Sequence, residues 1–248
     1  MATDNFNDIL REIKNTKDKL VFYSPSSDSE NSILPLTLKQ QKLIIENSLT
    51  STLSLLFFNN CMFDIIKENY LGDVKKLDTL DRVNISLVLR QKMSDKFKDE
   101  EENIETTLTE ILEKNKKKID LEPEAIETEK FTFHVKKPNL LIDNKINNII
   151  LRKYKGKEIT ESNVSKVISD VYIYELIKFI VKLQFNENEI DIHENLDNSF
   201  KLLNEIASDN FTKIYQYINK LRDLENDLTL IPGTKTNISI TPDFFIVQ

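Results

Sequence analysis

The segment LDTLDRVNISLVLRQKMSD, Leu77 to Asp95, is what most limits how this chain can fold. Leu80, Val83, Ile85, Leu87, Val88 and Leu89 cover most of the circumference of the helix predicted over Leu77 to Lys92, and a helix apolar on nearly all sides must be enclosed by other elements. Asp78 is placed to cap its N-terminus, and Asp81 falls in the first turn, where negative charge suits the helix dipole. The Asp81–Arg82 pair at its start and Arg90 near its end are charges in an apolar setting. Asp81 and Arg90 are about two and a half turns apart, on nearly opposite sides, so they cannot pair with each other. Each needs another partner or solvent, because an unpaired buried charge is costly. The expectation is that Asp81 chiefly caps its own helix. Arg90 is expected to bridge to a carboxylate or backbone carbonyl and so lock two helical halves together.

Helical patterns recur on both sides of this segment. Thr37 and Gln40 have capping-box spacing and open a helix carrying Leu43, Ile44 and Ile45. A second helix is predicted from about Ser51 to Tyr70, with Phe58, Cys61, Met62, Ile65 and Ile66 as its buried stripe and Gly72 as a left-handed cap. A long helix from Thr160 to near Phe185 carries Val167, Val171, Leu176, Phe179, Ile180 and Leu183. A short helix follows around Phe200 to Ile206, and Ser208 caps a last one through Phe211, Ile214, Ile218, Leu221 and Leu224. A weakly amphipathic helix over Asn5 to Lys19 either docks or frays.

Strand signals are fewer. KLVFYS and NSILPL flank the turn-forming PSSDSEN and read as a hairpin. FTFHVK alternates Phe131, Phe133 and Val135 with Thr132 and His134, and NKINNIILRKYKGK reads as its partner strand, ending at Gly156. IPG turns the chain, and TNISITPDFF forms a terminal strand. Phe244 and Phe245 there bury in their own core in preference to a neighbour's groove.

Between these parts the stretch from about Phe97 to Lys118 has a thin apolar stripe, Ile104, Leu108, Ile111 and Leu112, amid dense charge. It reads as one solvated helix, with DEEE near its start and KKK near its end complementing the dipole, and as the partner-facing element. The fold class is mainly α with minor β (α+β): a multi-helix body with an N-terminal hairpin, a short central strand pair and a C-terminal strand. Residues 1–248 form one domain with two helical lobes, about 1–96 and 160–248, and a charged insertion, about 97–159.

Composition narrows the function. The 248 residues include 30% charged residues and a net charge of only -7, with acids and bases interspersed. That argues against a nucleic-acid binder, which presents a basic field to phosphates. The three glycines, Gly72, Gly156 and Gly233, are too scattered for the clustered loops that cradle nucleotide phosphates. The single cysteine, Cys61, sits in an apolar run and has no cysteine to pair with inside the chain. No stretch approaches the roughly 20 apolar residues of a membrane span, and MATDNFNDILREIKN is unlike a signal peptide, so the protein is expected in the cytoplasm where it is made.

His134 and His193 have no second histidine at metal-ligand spacing and read as surface residues. NENEIDIHENLD places carboxylates at alternate positions, but it lacks the glycine and terminal glutamate of a calcium loop and reads as a solvated connector. Tyr172, Tyr174 and Phe179 have the spacing of core residues. No catalytic, cofactor-binding or metal-binding residues are assigned.

The order of five segments is similar to a known family. LPLTLKQQKLIIE, LFFNNCMFDII, LDTLDRVNISLVLRQKMSD, FTKIYQYINKLRDLE and TNISITPDFF together resemble the baseplate hub assembly proteins of T-even-like contractile-tailed bacteriophages. The matching positions are Pro35, Thr37, Lys39 and Lys42, Leu77 and Asp81, Leu89 and Arg90, and Phe244 with Phe245. They cover most of residues 33–95 and 205–246. Many relatives carry a paired-cysteine, zinc-ribbon-like segment after the Leu-Arg helix. Here the charged stretch from Phe97 takes its place, so metal binding is not carried over. The resemblance implies a non-enzymatic role in a phage tail baseplate, as a hub component or hub assembly factor contacting other hub or tail proteins, in the host cytoplasm during assembly. The alternative is a cytosolic helical adaptor that binds a host protein through a groove between helices. An enzyme would need a convergent polar pocket, which no set of motifs here assembles.

Overall fold

The computed structural model describes residues 18–46, 53–99, 104–119, 121–154, 157 and 159–246. It is 54% helical with 19% strand, an α+β fold. The helix expected over Asn5 to Lys19 lies almost wholly outside the described residues.

The first hairpin pairs β1 (Leu20–Ser24) with β2 (Ser29–Ile33) antiparallel, Val21 opposite Ser32. Helix α1 (Leu38–Glu46) opens on the reciprocal Thr37–Gln40 box, in which the Thr37 N–H donates to Gln40 Oε1 at 2.9 Å and the Gln40 N–H to Thr37 Oγ1 at 3.2 Å. Helix α2 (Ser54–Asn69) buries Phe58, Cys61, Met62, Ile65 and Ile66, as the 3–4 spacing dictates. Gly72 is not a left-handed cap. The helix stops at Tyr70, whose extended backbone bridges to Ile33. A Cβ on Gly72 would lie 2.6 Å from the Tyr70 hydroxyl oxygen, so close packing is what glycine permits there.

Helix α3 (Thr79–Met93) begins with a second reciprocal box, Asp78 with Asp81. It is enclosed as its pattern demands, and it divides its apolar residues between two cores. Ile85, Leu87, Val88 and Leu89 join Phe22, Ile33, Phe58 and Phe245 in one core, while Leu80 joins Phe133, Ile177, Tyr217 and Ile218 in the other. Val83 packs against both.

The single charged helix expected from Phe97 to Lys118 does not form. Strands β3 (Lys96–Asp99) and β4 (Ile104–Thr107) make a hairpin, and only Leu108–Lys114 is helical (α4). The β-branched Ile104, Thr106 and Thr107 favour extended backbone, and Thr107 then caps α4 by accepting from the Glu110 N–H. The acidic run therefore begins at the end of a strand, and the lysine run follows a short helix instead of closing a long one. Leu108 and Ile111 are fully buried in the first core and face no solvent.

Strands β5 (Glu124–Glu127) and β6 (Phe131–Val135) begin a four-stranded antiparallel sheet of order β5-β6-β7-β8. The strand expected in NKINNIILRKYKGK is instead helix α5 (Leu140–Tyr154). Asn139 caps it, accepting from the Ile142 N–H at 2.9 Å, and Leu140, Ile146 and Ile150 face the interior. The adjacent Ile149 and Ile150 resemble a strand signal only when this longer period is overlooked.

Helix α6 (Val164–Phe179) passes without a loop into β7 (Ile180–Phe185), so the long helix expected to reach Phe185 is six residues of strand at its end. IVKLQF alternates in character and pairs with β6 on one side and β8 (Asn188–Asp191) on the other. The expected acidic connector is thus an exposed edge strand, entered by a tight turn with Asn186 at φ 53°. Helix α7 (Leu196–Asn204) is followed by a 3-10 turn, Ser208–Phe211, and helix α8 (Thr212–Thr229). Ser208 starts the 3-10 turn and does not cap α8. Gly233 turns the chain at φ 77°. The C-terminal strand is absent among the described residues: a single bridge joins Leu230 to Asn237, and a 3-10 turn, Pro242–Phe245, carries the terminal phenylalanines.

Candidate functional site: a charged cleft between the two cores

Four helices bring ionisable side chains to the seam where the cores meet. Asp143, in the first turn of α5, accepts from Arg82 of α3 (Nη1 to Oδ2, 2.6 Å) and from Lys178 of α6 (Nζ to Oδ1, 2.9 Å). Lys178 also reaches Glu175 one turn back, at 2.6 Å. Glu225 of α8 faces Arg82 and the Thr79 hydroxyl. A cavity of about 410 Å³ opens on this cluster, walled by Leu55 and Leu56 of α2, Val171 of α6, and Ile218 and Leu221 of α8. A second recess of about 380 Å³ continues past Arg82 and Glu225 to Ser86, Thr229 and Ile240.

The electrostatics follow from burial opposed by pairing. Burial alone would raise the Asp143 carboxyl, but Lys178 and Arg82 outweigh it and hold Asp143 well below the usual carboxylate range. Burial would likewise lower Lys178, yet Asp143 and Glu175 hold it above the ordinary lysine value. Glu225 is the exception: burial pushes its carboxyl up, with Arg82 and Thr79 only partly opposing.

The residues that the sequence singled out lie elsewhere. Asp81 is fully buried and, besides closing its capping box with the Asp78 N–H at 2.9 Å, accepts from the Ser24 hydroxyl at 2.6 Å and from the Ser26 hydroxyl. It pins the first hairpin to α3, a role the sequence did not indicate. Burial and nearby Asp78 raise its carboxyl, against the two hydroxyls that lower it. Arg90 finds carbonyls: its Nε donates to Phe244 O and its Nη1 to Ser94 O, each at 2.7 Å, with the guanidinium 5.8 Å from the Phe244 ring centroid. It therefore ties the C-terminal turn to α3 within one core and does not span the two. Phe244 and Phe245 are buried in that core, with Phe245 against Phe58 and Phe244 against Phe97. Leu108 and Ile111 are fully buried in the same core, which does not fit the partner-facing role expected of them, while Ile104 packs against that core half-buried.

Replacing Arg90 with leucine is expected to cost about 2 kcal/mol of unfolding free energy, since two hydrogen bonds from a charged donor are lost and the Phe244 carbonyl stays buried. Urea unfolding of the variant measures this. Unchanged stability would mean that the carbonyl is satisfied without Arg90.

His193 Nε2 lies 2.8 Å from the Ile177 carbonyl oxygen, and His134 lies on β6 facing away from the core side of Phe133 and Val135. In the sequence Arg82 stands out without a visible partner, and Asp143, Glu175, Lys178 and Glu225 do not stand out at all. Comparison with family models, curated proteins and solved structures found no match for this chain.

Proposed function

We propose that this protein is a non-enzymatic component or assembly factor of a phage tail baseplate hub, working in the host cytoplasm through contacts with other hub or tail proteins. The observation that carries the reading is the ordered set of segments resembling the hub assembly proteins. Supporting it, resembling positions far apart in sequence gather on one core: Leu77, Leu89, Phe244 and Phe245 lie in it together, and Arg90 bonds the Phe244 carbonyl. Large apolar side chains left on the outside, Leu38 at 82% exposure, Ile168 at 63% and Leu55 at 57%, suit a chain that is partly covered in an assembly.

The test is mass spectrometry of purified phage particles against lysates of infected cells. Peptides of this chain in particles at the level of hub subunits would make it a structural component. Peptides in lysates alone would make it an assembly factor. Their absence from particles, with the lysate protein bound stably to a host protein and to no tail protein, would overturn the reading in favour of the helical adaptor. The cleft walled by α2, α6 and α8 is the observation favouring that alternative.

A further inference from the structure

We propose that residues 5–17 of this chain dock as an amphipathic helix in the groove between α1 and α2. Phe6, Ile9, Leu10 and Ile13 then face Leu34, Leu43 and Ile65, and Lys14 and Lys17 meet Asp64 and Glu68.

The chemistry of the groove sets the kind of occupant. It encloses about 560 Å³, more than either recess of the charged cleft, and its apolar lining includes Leu34, Leu43 and Ile65. Leu43 is still 43% exposed there. The buried polar groups of the lining are already paired. Gln40 Nε2 donates to Asn69 Oδ1 at 2.9 Å, and Asn69 Nδ2 donates to Gln40 Oε1 at 3.1 Å and to the Leu34 carbonyl at 3.2 Å. With those groups satisfied, the groove selects for apolar side chains.

The path of the chain names the occupant. Leu20 pairs with Ile33 at the open end of the first hairpin, so the chain preceding Leu20 leaves β1 beside Leu34, at the edge of the groove. The described chain begins at Asp18, and the residues before it carry the amphipathic pattern of Phe6, Ile9, Leu10 and Ile13. In helical phase Leu10 and Lys14 are i, i+4 neighbours, as are Ile13 and Lys17, which puts both lysines on the side of the apolar stripe. Asp4, Asp8 and Glu12 fall on the opposite side. The groove matches this arrangement, because its lining carries Asp64 and Glu68, one turn apart on α2, against Lys39 alone. A helix over residues 5–17 is about 20 Å long, so it reaches along the groove from that exit. The short tether holds it there at an effective concentration of about a millimolar, an advantage that no separate partner has.

This inference does not depend on the hub reading. Its test is hydrogen exchange of the full chain, read by mass spectrometry. Peptides covering residues 5–17 are expected to exchange about tenfold more slowly than coil, at rates independent of protein concentration. Ile13→Asp in the segment, and Leu43→Asp at its exposed position in the groove, should each return the segment to near-coil exchange while α3 stays protected. Asp64→Lys with Glu68→Lys should cut the protection severalfold, and adding Lys14→Glu with Lys17→Glu should restore it. Coil-like exchange of the segment in the wild type would overturn the proposal. So would protection that survives Ile13→Asp or Leu43→Asp, or charge reversal without effect. Protection that rises with protein concentration would overturn it as well, by making a second copy the occupant.

Discussion

Asp143→Ala is expected to lower the unfolding free energy by about 3–5 kcal/mol at neutral pH. Asp143 is 5% exposed and is the only carboxylate shared by Arg82 and Lys178 among the described residues. Its removal leaves Arg82 without its hydrogen-bonded carboxylate and with the Glu225 charge facing it, and Lys178 with Glu175 alone. The damage also crosses the molecule, because this carboxylate joins α3, α5 and α6 at the seam of the two cores. Asp143→Asn should cost less, since the amide oxygen still accepts one hydrogen bond. The pH dependence gives an independent check. A carboxyl whose folded pKa is depressed contributes stability that is fully present above its unfolded pKa, about 4, and is lost as pH falls toward the depressed folded value. The difference between wild type and Asp143→Ala should therefore be largest near pH 7 and shrink steadily below about pH 4. Urea unfolding of both proteins at neutral and acid pH measures it. A loss below about 1 kcal/mol at pH 7, the scale of an exposed ion pair, would show that the seam does not depend on this charge.

What the sequence revealed was what neighbouring residues decide among themselves. The Thr37–Gln40 and Asp78–Asp81 boxes close within one turn, PSSDSEN carries its own turn chemistry, and the stripe on α2 repeats at three and four, so each was legible before any tertiary contact was known. The misread parts carried two signals at once. Around Ile104 a helix-like charge pattern competed with β-branched residues, and the β-branched residues prevailed because Thr107 could cap a shorter helix. At Ile149–Ile150 and at IVKLQF, runs of branched residues were compatible with either element until packing chose. The cleft was the least legible feature. Arg82 and Asp143 are 61 positions apart, and no local rule couples them. A signal was nonetheless present: Leu140, Asp143, Asn147, Ile150 and Tyr154 share one phase of a helix and are all buried, which marks Asp143 as a core-side acid needing a cation. Reading that segment as a strand concealed it.

The second large effect belongs to the other end of the chain. Phe245→Ala is expected to cost about 3–5 kcal/mol, the range for emptying a fully buried aromatic site. The ring is inaccessible to solvent, lies 6.1 Å from the Phe58 ring and meets Phe244 edge-on at 5.4 Å, so α2 and the C-terminal turn lose contact together. Phe244→Ala separates the contributions, because the backbone carbonyl that Arg90 binds survives the substitution. Its cost should come from the ring's packing against Phe97, Phe245 and the Arg90 guanidinium and should be smaller, because this ring is less completely buried than that of Phe245. Thermal and urea unfolding of both variants distinguish two roles for the terminal pair. Anchors of this chain's own core lower stability in the order Phe245 before Phe244. Residues destined for a neighbour's groove would leave the isolated protein unchanged and impair only its association with partners. The burial of both rings argues for anchoring, and partner contacts must then be sought on surfaces the chain leaves open, such as those carrying the exposed Leu38, Leu55 and Ile168.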